Sequence, residues 1–326
     1  MTPLRQLPAG RMARVAILDD YMGVARDLAD WSRLEDRAEL TFFRHAIPPE
    51  RVAEELADFD AICLMRERTD LPAELLRALP NLKAIARTGR RTRTLDVDAA
   101  AELGIAVMST SGSGDGIYAT VELAWGLIIG LMRHIPEEAG AMREGAWQSR
   151  LGNALYGKTL GLVGLGKLGT RMALVAKAFG MNVIAWSPNL TAERAREGGA
   201  DYVDKETLFR SADIVSLHLV LGPTTRGIVG AGDLGRMRPE AILINTARGP
   251  LVDGEALLEA LQTRRIRGAG IDVYDGEPLA ASHPIRKEPN ALLTPHLGYS
   301  VRETFERFYA ETVDNLDAWL SERPVF

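Results

Sequence analysis

Three residues carry side chains that could together bind an anion and move a proton: Arg248 in "INTARGPLVD", Glu277 in "GIDVYDGEP" and His296 in "LTPHLGY". Each follows an apolar, strand-like run. "AILIN" reads as a buried strand and "VDGEALLEAL" as the next helix, so Arg248 stands at a strand's carboxyl end, where open α/β sheets bind ligands. An arginine there can hold a carboxylate through a two-pronged charge-assisted bond. A histidine can give or take the proton of an alcohol–ketone pair. A glutamate bonded to that histidine favours the imidazolium, the form that protonates a ketone. Taken singly, each has a plain reading: a solvated loop arginine, a packed histidine after proline, a glutamate in a surface turn. Their order, after the loop described next, favours chemistry.

"TLGLVGLGKLGTRMALVAKAFG" sets Gly164, Gly166 and Gly169 in G-x-G-x-x-G spacing, with a strand before and a helix after. That context separates a dinucleotide loop from an ordinary Gly-rich turn. Gly164 permits the tight turn, Gly166 lets the backbone approach a pyrophosphate, and Gly169 lets helix and strand pack closely. The helix N-terminus offers free N–H groups and a positive dipole end. The following strand, "NVIAWS", ends at Ser187, where an NAD site would carry an acid on the ribose hydroxyls. Serine does not repel a 2′-phosphate, but no arginine follows at once; Arg194 is the nearest. Ser187 also reads as a cap for the next helix. NAD and NADP are left open. Asp272, at another strand end, could bond the nicotinamide carboxamide.

The elements that must position these residues follow from the rest of the chain. Its 326 residues point to about two domains. "RVAILDD", "ELTFF", "DAICLM", "LKAIAR" and "GIAVMS" alternate with helical patterns such as "PERVAEELADF" and "PAELLRAL". A second series runs "TLGLVG", "NVIAWS", "DIVSLH", "AILINT", "GAGIDV", "ALLTP", and "VRETFERFYAETVDNLDAWL" closes the chain as an amphipathic helix. Short apolar runs with helices between them predict parallel strands covered on both faces, an α/β fold. Between the series, "STSGSGDG" (Ser109–Gly116) reads as a hinge. "IYATVELAWGLIIGLMRHI" reads as a long helix, apolar nearly all round, which predicts burial, with another subunit as one cover for it.

Composition narrows the function. Apolar content is 46%, charged content 25% and net charge −5, so nothing attracts nucleic acid or an anionic membrane globally. Cys63, the only cysteine, excludes an intrachain disulfide and reads as a core thiol. No apolar run reaches membrane-spanning length and no signal-type segment opens the chain, so a cytoplasmic address is expected. No metal site is expected. The first strand begins after Met12, which makes residues 1–11 either a frayed extension or a segment upstream of the true start.

From about Arg14 onward the chain resembles the D-isomer-specific 2-hydroxyacid dehydrogenase family, on "GLVGLGKLG", "SADIVSLHL", "INTARGPLVD", "GIDVYDGEP" and "LTPHLGY". The resemblance implies NAD(P)-dependent interconversion of a 2-keto acid and a D-2-hydroxy acid, with Arg248, Glu277 and His296 catalytic. It places cofactor contacts on Gly164, Gly166, Lys167, Leu168, Gly169, Ser187, Leu219, Thr225, Thr246, Ala247, Asp272 and Gly298. It implies two Rossmann-like, doubly wound parallel-sheet domains with a cleft between them. Residues 1–108 plus 300–326 would form a flavodoxin-like substrate domain, and 109–299 the dinucleotide domain. It also implies a homodimer clasped through the helix near residues 117–135. No carboxy-terminal regulatory domain is expected beyond Phe326, so serine feedback of the kind seen in longer members of the family is not expected.

The family's small, glycine-rich turn, whose amides help hold the substrate carboxylate, reads "RTGRRTRTLDVD" here. Arg87, Gly89 and Arg90 are the expected substrate contacts. Gly89 survives, Arg90 and Arg91 replace small residues, and Arg93 and Thr94 take the family's Asp-Asn positions. Arg90 or Arg91 could meet a second anionic group on the substrate; the plain alternative is a solvated basic loop, or one paired with Asp96 and Asp98. Val220, in "HLVLGP", stands where the family has proline. A rival of another class is a dinucleotide-sensing protein like the C-terminal-binding corepressors, which keep the same triad. A formate oxidiser would carry glutamine in place of Glu277.

Overall fold

Parallel strands ending along one edge are what the alternating runs demand, and the computed structural model contains two such sheets. It describes residues 2–8, 10–90, 93–112, 116 and 118–322. The chain divides into two compact units, Met1–Gly116 with Val301–Phe326, and Ile117–Ser300.

The first unit holds β1 (Ala13–Ile17), β2 (Ala38–Phe42), β3 (Ala61–Leu64), β4 (Ala84–Arg87) and β5 (Ala106–Ser109) in the order β2-β1-β3-β4-β5. That is the flavodoxin-like order, and every pair is parallel. β3 is buried along its whole length, as its unbroken apolar run requires of an inner strand. Cys63 lies in it, and burial pushes its thiol up to about 12, which keeps it inert. The closing helix, Arg302–Leu320, buries Phe305, Phe308, Tyr309, Val313 and Leu316 on one face.

The second unit holds β6 (Thr159–Val163), β7 (Asn182–Trp186), β8 (Asp201–Tyr202), β9 (Ile214–Leu217), β10 (Ile242–Asn245), β11 (Gly268–Ile271) and β12 (Ala291–Leu293). Their order is β12-β11-β10-β9-β6-β7-β8. Counted within the unit this is 3-2-1-4-5-6-7, the dinucleotide-fold order with one strand added, and strand direction of travel reverses between β6 and β9. The long apolar helix, Ala119–Arg133, turns its apolar residues inward. Val121, Ala124, Trp125, Leu127, Ile128, Leu131 and Met132 join the core of this same unit. The cover expected from another subunit is thus largely supplied by the chain's own sheet. Among the described residues no helix is long and apolar enough to cross a membrane.

The first eleven residues are not frayed where they are described. Arg5 N–H donates to the Gly104 carbonyl at 2.8 Å, and its guanidinium to the Leu82 carbonyl at 2.9 Å. Arg11 pairs with Asp60, which is wholly buried beside Lys83 Nζ at 2.7 Å and the Arg14 amide at 2.9 Å. Removing one member of a buried charge cluster strands the others without compensation. Asp60→Ala is therefore expected to cost about 3 kcal/mol and to lower Tm by roughly 10 °C. Calorimetry checks this, and a Tm within about 2 °C of the parent would contradict it.

Candidate active site

The glycine loop has the geometry its spacing predicts. Gly164 adopts φ +103°, a left-handed conformation that favours glycine, and a Cβ there would press on His218 C at 2.8 Å. A Cβ at Gly169 would collide with the Gly164 carbonyl oxygen, so its bare Cα is what lets the helix Lys167–Ala178 seat on the loop. At Gly166 a Cβ would meet nothing within 4 Å, which leaves its flank open to a ligand. Gly166 is also the helix N-cap and makes no side-chain cap bond. Lys167 Nζ lies 5.9 Å from the Tyr118 ring centroid, beside an open cavity of about 320 Å³. Leu168 packs on the core, and Leu219 packs against Gly164.

At the end of β7, Thr191 and not Ser187 caps the next helix, accepting from the Arg194 amide at 3.3 Å. The capping role read for Ser187 thus belongs to its neighbour four residues on. Thr225 Oγ1 accepts from the Gly222 amide at 2.8 Å and donates to the Val220 carbonyl at 2.7 Å, closing the turn that follows His218. Val220, at the family's proline position, points to solvent.

The three strand ends β10, β11 and β12 lie side by side. Beyond β10, Asn245 is buried and spans the turn: its Nδ2 donates to the Arg248 carbonyl at 2.9 Å and its Oδ1 accepts from the Ala247 amide at 3.1 Å. Arg248 is half-buried and its Nη1 donates to the Ala247 carbonyl at 2.7 Å. Thr246, between them, has a buried hydroxyl with no hydrogen-bond partner among the described residues. An orphaned buried hydroxyl beside open backbone fits a site completed by a ligand.

Beyond β12, His296 stands at φ +55°, a strained backbone for a side chain. Its amide donates to the Asp272 carbonyl at 2.9 Å. Its Nδ1 meets Glu277 Oε2 at 2.5 Å, and Glu277 Oε1 accepts from the Tyr274 amide at 2.8 Å. The Tyr299 ring stands edge-on to the imidazole at 5.4 Å. Asp272 is wholly buried. Its carboxylate accepts from Thr294 Oγ1 at 2.6 Å and from the amides of Leu297 and Gly298 at 2.7 and 2.9 Å. Burial raises its carboxyl above the ordinary range, against these donors, which lower it. Asp272, expected on the nicotinamide, therefore also fixes the loop that carries His296.

The sheet's other histidine, His218, has a different environment. Desolvation pushes it down to about 4, and its Nε2 lies 2.9 Å from Ser216 Oγ, so it is neutral near pH 7. That leaves His296 as the histidine exposed enough, and paired with a carboxylate, to exchange protons.

In the first unit, Arg87 lies at the end of β4. Its Nε donates to Ser109 Oγ at 2.8 Å and its Nη2 to the Arg90 carbonyl at 3.0 Å. Desolvation lowers its pKa from the ordinary arginine value. Gly89 adopts φ +85° and its amide donates to Thr110 Oγ1 at 2.7 Å. Arg90 lines an open cavity of about 510 Å³ with Ser109, Thr110, Ser111 and Glu311. Arg93 pairs with Glu67, and Asp96 caps the helix Val97–Glu102. Arg91 lies outside the described residues.

Sequence reasoning missed Asn245, Thr294 and Tyr274. Thr294 and Tyr274 act by contacts between strand ends and Asn245 within the turn beyond β10, and only the buried amide in "AILIN" hinted at its role.

Comparison with known proteins agrees with this geometry. A family profile described as "D-isomer specific 2-hydroxyacid dehydrogenase, NAD binding domain" matches residues 125–298. The chain is 37% identical over 294 residues to a D-3-phosphoglycerate dehydrogenase of Synechocystis, covering 90% of this chain and 51% of that one. It is 38% identical over 283 residues to a glyoxylate reductase of Thermococcus litoralis, covering 83% and 84%. It thus spans about half the length of the D-3-phosphoglycerate dehydrogenases it matches. A phosphoglycerate oxidoreductase from Vibrio cholerae superposes with a TM-score of 0.86 at 37% identity, over 94% of this chain and 98% of that one. With a dinucleotide loop, three adjoining strand ends and these relatives in agreement, the chain belongs to the D-isomer-specific 2-hydroxyacid dehydrogenase family.

Proposed function

We propose that the chain, acting in the cytoplasm, reduces a 2-keto acid to a D-2-hydroxy acid with NAD(P)H, or catalyses the reverse. The observation that carries this is the His296–Glu277 pair, held in the same parallel sheet as the glycine loop. The nicotinamide, when bound, supplies or accepts the hydride. Arg248 holds the substrate carboxylate and sets the carbonyl for attack. His296 donates the proton to the carbonyl oxygen from Nε2, while Glu277 holds Nδ1–H and stabilises the charged ring. The Gly164–Gly169 loop with Lys167 and Leu168 receives the pyrophosphate. Ser187, Leu219, Thr225, Thr246, Ala247, Asp272 and Gly298 line the rest of the cofactor path. Arg87, Gly89 and Arg90 are the substrate contacts of the first unit. Among the described residues Arg87 and Arg90 have no ion-pair partner, which suits a substrate with a second anionic group.

A second copy of the chain is the proposed partner. Between Ile135 and Tyr156 the chain leaves large apolar side chains in water, Trp147 at 76% and Leu151 at 94% exposed. Such a run is unusual for a surface with no partner.

Gly249 adjoins Arg248, and a Cβ there would collide with the backbone carbonyl of Tyr274 and lie 2.6 Å from the Asp275 amide nitrogen. Its bare Cα therefore seats the Glu277 turn against the Arg248 turn.

Three tests follow from these assignments. Oxidation of NADH and NADPH is measured against glyoxylate, hydroxypyruvate, pyruvate, 2-oxoglutarate and phosphohydroxypyruvate. Turnover is expected with at least one, and Arg90→Ala should raise KM for the dianionic members only; equal KM changes would sink the second-anion idea. Tight dinucleotide binding without turnover would instead favour the sensor. Gly249→Ala should lower kcat by about tenfold or more, and by much less in a Glu277→Gln background, if it acts through Glu277. Losses that simply multiply would contradict that. Light scattering should give twice the 35.6 kDa chain mass, halved by Trp147→Glu with Leu151→Glu. A parent protein of single-chain mass would refute the dimer.

A further inference from the structure

We propose that the chain prefers NADPH to NADH, with Ser187 and Arg194 holding the 2′-phosphate. This rests on the dinucleotide reading above and names which dinucleotide. The strand after the glycine loop ends where the adenosine ribose lies in this fold, and the groups at that end decide between a free 2′-hydroxyl and a 2′-phosphate.

That end is β7, and three observations bear on it. First, the turn Ser187–Leu190, closed by the Leu190 amide on the Ser187 carbonyl at 3.1 Å, contains no acid. A carboxylate there would bind the ribose hydroxyls and repel a phosphate; serine, proline, asparagine and leucine carry no charge to repel one. Second, the Ser187 hydroxyl is not used by the protein. Thr191 takes the helix cap, and Ser187 Oγ has no bond among the described residues, although the side chain is only half-buried. It is available as a donor to a phosphate oxygen.

Third, a cation reaches back to this turn without an acid of its own. Arg194 Nη1 donates to the Asn189 carbonyl at 3.1 Å, which folds the guanidinium onto the turn. Its Nε and Nη2 make no bond among the described residues, and neither Glu193 nor Glu197 pairs with it. The neighbouring cation, Lys205, is already neutralised. It lies 5.6 Å from the Trp186 ring centroid and bonds Asp233 at 2.8 Å and the Ile228 carbonyl at 2.5 Å. The net charge at this strand end is therefore set by Arg194, whose fork matches a phosphate's oxygens.

Isothermal titration with adenosine 2′,5′-bisphosphate and with AMP reads this site without catalysis. The bisphosphate is expected to bind about tenfold tighter or better. Arg194→Ala should remove most of that difference, and Ser187→Asp should reverse it. The NADPH-to-NADH ratio of kcat/KM should shift in the same sense in both variants. Equal affinity for the two nucleotides, or a preference that Arg194→Ala leaves intact, overturns the assignment while the dehydrogenase reading stands. If neither nucleotide nor either dinucleotide binds, the dinucleotide reading falls with it.

Discussion

A carboxylate sealed from water holds the loop that carries His296 in place. Asp272 follows β11 directly and takes three donors from the loop beyond β12, while its own carbonyl receives the His296 amide. Burying an acid without donors would cost several kcal/mol, so the 294–298 loop and Asp272 require each other. A second tie runs outside the first. Tyr274 Oη donates to the carbonyls of Ile271 and Thr294 at 3.1 and 3.0 Å, with burial pushing its phenol up to about 12. The amide of the same residue holds Glu277, and Glu277 holds His296. The imidazole is thus oriented through its main chain and its ring by two neighbouring strand ends.

This works because the sheet is parallel throughout. β10, β11 and β12 release their chains at one edge, so residues 19 to 26 apart in sequence become neighbours there. The reversal between β6 and β9 opens the crevice where the glycine loop lies. Gly164 and Gly169 are both needed there, one for its left-handed backbone and one for its missing side chain.

Most of this was legible in the sequence, for reasons that also mark the limits. A parallel strand covered on both faces is a short, unbroken apolar run, and each of the eleven such runs in the two series is a strand. β8 was not read because two exposed residues, Asp201 and Tyr202, carry no such run. The long helix Ala119–Arg133 was read correctly as buried, but hydrophobicity does not say what covers it, and the sheet of its own unit does most of the covering. Ser187 and Thr191 are equally good caps by type; backbone geometry chose Thr191. Arg93 finds Glu67, and Asp96 is committed to a helix cap, two partners that residue type alone does not assign. The segment before Met12 looked dispensable until Asp60 supplied Arg11 with a buried partner.

The left-handed backbone at His296 has a consequence for how the protein can change. Asparagine or glycine would occupy φ +55° with less strain, yet neither exchanges a proton near neutral pH. Strain of this kind amounts to about 1 kcal/mol or more, and the Asp272 bonds hold the residue against it. On the proposed role of His296, position 296 is a point where improvement of the fold and improvement of the enzyme run in opposite directions. A lineage or a library selected for heat resistance alone would be drawn away from the residue proposed to carry the proton.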